Sequence, residues 1–132
     1  MFKSLPKTLL LLALVVPTAG FLSASQTDLT DAASAILHAG TAASKVAKLR
    51  QVPSVGAIDV NWHNASPVSD LGNELINLGI YADRNAAGVS QLRHALAANP
   101  VTRRALAANG ISVGRVVGVQ IGATGSLRLY LE

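Results

Sequence analysis

The chain has 132 residues, which is enough for one domain of ordinary size and too few for two. Its eleven lysines and arginines outnumber its seven aspartates and glutamates, and the net charge is +4. The basic residues are scattered, whereas nucleic-acid-binding domains concentrate them on one face, so we expect no nucleic-acid partner. The sequence has no cysteine, which excludes disulfides, thiolate catalysis and thiolate metal sites.

The first 25 residues have the pattern of a secretory signal peptide. Lys3 and Lys7 form a positively charged segment, and residues 9–16 form an apolar core that Pro17 ends. A membrane-spanning helix needs about 20 apolar residues, and this core has only eight. We therefore expect residues 1–25 to be a signal peptide, the protein to be exported to the periplasm or secreted, and no stable membrane span to remain. An uncleaved leader that holds the protein at a membrane is the alternative.

The cleavage point has two candidates, because signal peptidases require small side chains one and three residues before the cut. The tripeptide Ser23-Ala24-Ser25 meets this requirement for the predicted cut before Gln26. The tripeptide Thr18-Ala19-Gly20 meets it for a cut before Phe21. Either cut removes both leader lysines and leaves nine basic and seven acidic residues, so the mature chain is only slightly positive.

Residues 26–56 are expected to form an alanine-rich helix, read as one continuous helix over 28–50, followed by a connector. Its apolar residues recur at helical spacing but are mostly small: Leu29, Ala33, Ile36, Gly40, Ala43 and Ala47. Such a stripe buries little area per turn. Either another helix approaches it closely, or the helix is only loosely attached.

Residues 57–132 are expected to form a compact α+β domain. Apolar and polar residues alternate over 57–63, as in a half-buried strand, and helical patterns follow over 67–109. A hairpin is predicted over 115–131. We expect a small antiparallel sheet, made of the strand and the hairpin, that is packed on one face by three or four helices.

The hairpin pattern also predicts a register. A three-residue turn with Gly125 at a positive φ would pair Ile121 with Leu127 and Val119 with Leu129. Both apolar rows then share one face of the sheet. On the other face Gln120 would lie opposite Arg128, and Tyr130 would cover Gly118.

Five polar or aromatic residues form the predicted ligand- or partner-binding surface. Asp59, Asn61 and His63 would project from one face of their strand at intervals of about 6.6 Å. A neighbouring strand would add Arg128 and Tyr130. The strand offers too few converging donors for a metal ion, and the sequence contains no cofactor fingerprint, so neither is expected.

The one catalytic pattern in the chain is Gly110-Ile111-Ser112-Val113-Gly114, which matches the nucleophile elbow of α/β-hydrolases. That elbow needs a strand before the serine and a helix after it, and here the predicted order is reversed. All three histidines also precede Ser112. A glycine that ends one helix explains the pattern, so no catalytic residue is predicted here.

These observations favour a non-enzymatic interaction or accessory protein that acts in the periplasm or outside the cell, with an unidentified envelope or extracellular partner. Two alternatives stay open. One is a small exported hydrolase or ligand-binding enzyme that uses His63 with Asp59. The other is the membrane-associated protein with an uncleaved leader.

Overall fold

The computed structural model describes residues 21–23, 26–63 and 65–132, so most of the predicted leader lies outside the described residues. The elements are β1 (Phe21–Ser23), α1 (Gln26–Leu37), α2 (Ala39–Ala47), β2 (Val55–Asp59), α3 (Asp70–Arg84), α4 (Ala86–Ala98), α5 (Pro100–Ala108), a 3-10 turn (Val113–Arg115), β3 (Val116–Ile121) and β4 (Leu127–Leu131). The five helices of this range pack with one small sheet. The expected α+β class is confirmed.

The sheet has the strand order β1-β2-β4-β3 and is mixed rather than wholly antiparallel as expected. β4 pairs antiparallel with β3 but parallel with β2, and β1 pairs parallel with β2. The reason is that the hairpin places β4, not β3, beside β2, and β4 runs in the same direction as β2. The predicted strand at 57–63 lies two residues earlier at its start and ends at Asp59.

The hairpin has the predicted register. Ile121 pairs with Leu127, Val119 with Leu129, Gln120 with Arg128 and Gly118 with Tyr130. Gly125 has a φ of +94°, the left-handed conformation that only glycine adopts at little cost. The local sequence is therefore sufficient to predict the register of this hairpin.

The helix predicted over residues 28–50 is split at His38 into α1 and α2. α2 lies beside α4, and a Cβ added at Gly40 would be 3.6 Å from the Cα of Gly88. Small residues on both helices permit this close approach. The alanine-rich stripe is thus explained by a partner helix that packs closely against it.

Two asparagines at the ends of α4 fasten α1 and α2 to it. The Asn85 Nδ2 donates to the carbonyl of Ile36 at 2.7 Å, near the end of α1. The Asn99 Nδ2 donates to the carbonyls of Val46 and Leu49 at 2.8 and 3.0 Å, at the end of α2. Carbonyl groups near a helix C-terminus are the ones that need partners from outside the helix. The Val46 carbonyl also accepts from the Leu49 backbone N–H at 3.1 Å.

α1 also lies against the sheet. A Cβ added at Gly118 of β3 would be 2.9 Å from the Ala35 Cβ and 3.1 Å from the Ile36 nitrogen. α1 therefore covers the sheet face that carries Tyr130, the cross-strand partner of Gly118. Within the described residues no helix combines the length and the apolar character that crossing a bilayer requires.

Candidate functional site

A cleft of about 850 Å³ lies between the helices α1 and α2 and the sheet. We call it the helix–sheet cleft and define it by its polar lining, which comes from two layers of the fold. Ser34, His38, Thr41 and Lys45 line it from the helices, and Gly56, Gln120 and Arg128 line it from the sheet. Ser54 and Ser126 lie at its rim beside the hairpin turn, where their hydroxyls are 3.0 Å apart.

The helix side of the cleft is a polar stripe. Ser34, His38, Thr41 and Lys45 are three or four residues apart, the spacing that places side chains on one side of a helix. The stripe continues across the break between α1 and α2 because the His38 ring stays bonded to the preceding turn, with its Nδ1 2.8 Å from the Ser34 carbonyl. A carbonyl only accepts, so Nδ1 is the donor.

The sheet side of the cleft is a row across three strands. Gly56 of β2 pairs with Arg128 of β4, which pairs with Gln120 of β3, so the three positions share one face. A Cβ added at Gly56 would meet no atom within 4 Å. Since Gly56 has no side chain, it leaves open space next to the position of Arg128 on β4.

The charged groups that line the cleft are basic. Lys45 and Arg128 belong to the lining, and among the described residues no carboxylate does. The ion pairs formed within the described part of the chain involve neither Lys45 nor Arg128. Both cations are exposed, so they are accessible from the cleft.

Tyr130 lies two residues after Arg128 on β4 and is fully buried. Its hydroxyl has no hydrogen bond of good geometry to the described residues. Burial raises the pKa of Tyr130 above its ordinary value, and the Arg128 cation opposes this shift. Asp31 and Asp28 act on the same phenol and also raise its pKa. Tyr130 is therefore a neutral core residue at physiological pH.

The structure does not bring the five predicted site residues together. Arg128 lines the cleft and Tyr130 is buried, but Asp59 pairs with Leu131 and so belongs to the opposite face. Asn61 and His63 lie beyond the end of β2. The Asp59 carboxylate accepts from the Asn61 backbone at 2.8 Å, and the Asn61 side chain accepts from the His63 backbone at 2.9 Å. These two local bonds replace the expected strand pairing.

His63 and Asp59 are each engaged by other residues. The His63 Nε2 lies 3.2 Å from a Glu132 carboxylate oxygen, and the other oxygen of that carboxylate accepts from Arg93 at 2.7 Å. Asp59 lies 3.5 Å from the Arg115 guanidinium. The two residues thus do not form the acid–base pair that a His63/Asp59 enzyme needs. Among the described residues no cluster of three or more potential ligands is placed to hold a metal ion.

The serine of the Gly110–Gly114 pattern lies between α5 and the 3-10 turn that leads into β3. Gly110 has a φ of +68° and ends α5, as expected for a glycine after the helix C-terminus. The helix precedes the serine and the strand follows it. This arrangement is the reverse of a nucleophile elbow.

The helix side of the cleft was missed by the sequence interpretation, although polar residues at 34, 38, 41 and 45 carry a signal in their spacing. The described fold is a small α+β protein with an open, basic and polar cleft. The chain matches no protein-family model, no curated protein and no solved structure, so the cleft itself is the basis for assigning a function.

Proposed function

We propose that this chain is an exported, non-enzymatic binding protein whose ligand occupies the helix–sheet cleft. The cleft carries the proposal: its volume of about 850 Å³ is within the range of about 300–1,000 Å³ found for small-molecule sites. Its polar groups come from both layers of the fold and face one space. The engagement of Asp59 by Arg115 and of His63 by Glu132 supports binding rather than acid–base catalysis.

Filling the cleft tests this function. Gly56→Leu adds a side chain at an exposed position where a Cβ would meet no atom within 4 Å, so we expect folding to be retained and binding to be lost. A fragment library, screened by NMR against the wild-type protein, should give compounds that shift resonances of the cleft. Those compounds should not bind Gly56→Leu.

The matched control is Gly114→Leu, which adds the same side chain outside the cleft, where the nearest atom is the Ser112 hydroxyl at 3.8 Å. Its fragment binding should equal that of the wild type. Fragments that bind Gly56→Leu as well as Gly114→Leu would place the binding site elsewhere and contradict the proposal.

Export is the second part of the proposal, and β1 bears on where the leader is cut. Phe21–Ser23 pair with Ala57–Asp59 of β2. A cut before Gln26 would remove β1 and leave this edge of β2 unpaired, whereas a cut before Phe21 keeps it. The pairing therefore supports processing before Phe21 rather than before Gln26.

We predict that protein recovered from the periplasm or the medium begins at Phe21. Its intact mass should be lower than that of the full chain by 20 residues and not by 25. Ser25→Arg, which blocks a cut before Gln26, should leave this mature N-terminus unchanged. An N-terminus at Gln26 would overturn the assignment of the cut, and a full-length chain recovered with membranes would favour the uncleaved anchor.

A further inference from the structure

We propose that the ligand of the helix–sheet cleft is a small organic anion whose carboxylate or phosphate group binds between Lys45 and Arg128. The inference rests on the proposed function, since it names the chemical class of the ligand for the same cleft. It follows from the charge and the hydrogen-bonding groups that line the two sides of the cleft.

The charge of the cleft lining favours an anion. Lys45 projects from α2 and Arg128 from β4, so two cations come from separate layers and line one space. The described ion pairs join Arg93, Arg115 and His63 to carboxylates, and they leave these two cations out. The acidic residues nearest to this face, Asp28 and Asp31, act on Tyr130 and are not part of the cleft lining. An anion in the cleft would therefore meet two cations and, among the described residues, no lining carboxylate.

The hydrogen-bonding groups of the cleft lining favour a ligand with many acceptor atoms. An ammonium group has three N–H donors and a guanidinium group has five, and neither group accepts. The guanidinium fits a carboxylate or a phosphate with two parallel hydrogen bonds. The Thr41 hydroxyl and the Gln120 amide line the same space and can donate as well. A ligand rich in acceptor oxygens satisfies this set, whereas a cationic ligand does not.

The sheet side of the cleft has open space at Gly56. Gly56 and Gln120 flank Arg128 in the same cross-strand row, and Gly56 leaves room for a ligand next to the position of Arg128. A larger residue at position 56 would occupy that room. The glycine thus has a function at this position that strand formation alone does not require, because glycine weakens a strand interior.

Four compounds of similar size and different charge test the inference: glucose 6-phosphate and gluconate as the phosphate and carboxylate anions, glucose as the neutral compound and glucosamine as the cation. NMR titration at low salt should give both anions dissociation constants at least about ten-fold lower than those of glucose and glucosamine, because charge-assisted hydrogen bonds are the strong ones. Their affinity should fall as salt is added. A difference between the two anions identifies the preferred group.

Lys45→Gln and Arg128→Gln should each weaken anion binding about ten-fold. Lys48→Gln is the matched control, since it removes the same charge from the end of α2 without lining the cleft, and its affinity should stay within about two-fold of the wild type.

Two results would overturn the anion assignment: glucose or glucosamine binding as tightly as the anions, or no probe shifting the resonances of the cleft. Neither result decides the proposed function. That proposal fails only if fragment binding survives Gly56→Leu.

Discussion

Replacing Gly118 with alanine is expected to lower the free energy of unfolding by about 1–3 kcal/mol, the range for forcing atoms into a packed interior. The added methyl group would lie 2.9 Å from the Ala35 Cβ, 3.0 Å from the Ala35 carbonyl carbon and 3.1 Å from the Ile36 nitrogen. Two of these atoms are backbone atoms of α1. The clash therefore cannot be relieved by rotating a side chain, and α1 must move away from β3.

Gly56→Ala is the matched control, because Gly56 lies on the same face of the sheet and a Cβ there would meet no atom within 4 Å. Alanine restricts the unfolded chain more than glycine does, so this variant should be as stable as the wild type or more stable by up to about 1 kcal/mol. The same substitution at two positions of one sheet face thus has opposite expected signs.

Urea unfolding, monitored by circular dichroism and by the fluorescence of Trp62, the single tryptophan, measures both variants. The absence of cysteine keeps redox chemistry out of the experiment. A Gly118→Ala protein as stable as Gly56→Ala would show that α1 does not rest on β3, and the helix side of the cleft would then be misplaced.

The elements predicted best are those whose sequence signals are local. The hairpin register follows from alternation over a few residues and from the need for glycine at position 125, and the structure has every predicted pair. The pair Asn99-Pro100 is a second local signal, because asparagine favours the cap and proline the first position of a helix. Asn99 accepts a hydrogen bond from the Val101 nitrogen at 2.9 Å, and Pro100 takes the first helical position.

The errors involve contacts between distant parts of the chain. Gly79 followed by Ile80 has the sequence pattern of a glycine that ends a helix, but it lies inside α3, where a Cβ would be 2.8 Å from the Trp62 ring. Val68 has the spacing of an apolar stripe with Leu71 and Leu75, which favours a helix capped by Ser66. It is nevertheless 92% exposed because α3 begins only at Asp70, after the Ser69 cap. Local patterns do not reveal which ring will pack against a glycine, or which of two serines will cap a helix.

The candidate site depends on a register that the sequence does not specify. The strand at 55–59 pairs parallel with β4, and this pairing places Gly56 beside Arg128 and Asp59 beside Leu131. The polar stripe of α1 and α2 could be found from its spacing. Its pairing with a row of sheet residues could not, because a shift of one residue moves every side chain of a strand to the other face.

Replacing Asn99 with alanine is expected to lower the free energy of unfolding by about 2–4 kcal/mol, because one side chain makes three hydrogen bonds that join three helices. Its Oδ1 caps α5 by accepting from the Val101 nitrogen, and loss of such a cap costs about 1 kcal/mol. Its Nδ2 donates to the Val46 and Leu49 carbonyls at the end of α2. The Leu49 carbonyl would lose this donor, and a partly buried carbonyl left without one costs about 1–3 kcal/mol. The Val46 carbonyl keeps the Leu49 backbone N–H at 3.1 Å.

Asn99→Ser separates the two roles. A serine hydroxyl keeps the cap but is too short to reach the end of α2, so this variant should recover only about 1 kcal/mol of the loss. Both variants should also weaken binding of anions in the helix–sheet cleft, since Asn99 holds the end of the helix that carries Lys45. Thermal and urea unfolding measure the first effect and NMR titration the second. If Asn99→Ser were as stable as the wild type, the bonds to Val46 and Leu49 would contribute little, and α2 would be held in place by packing against α4 alone.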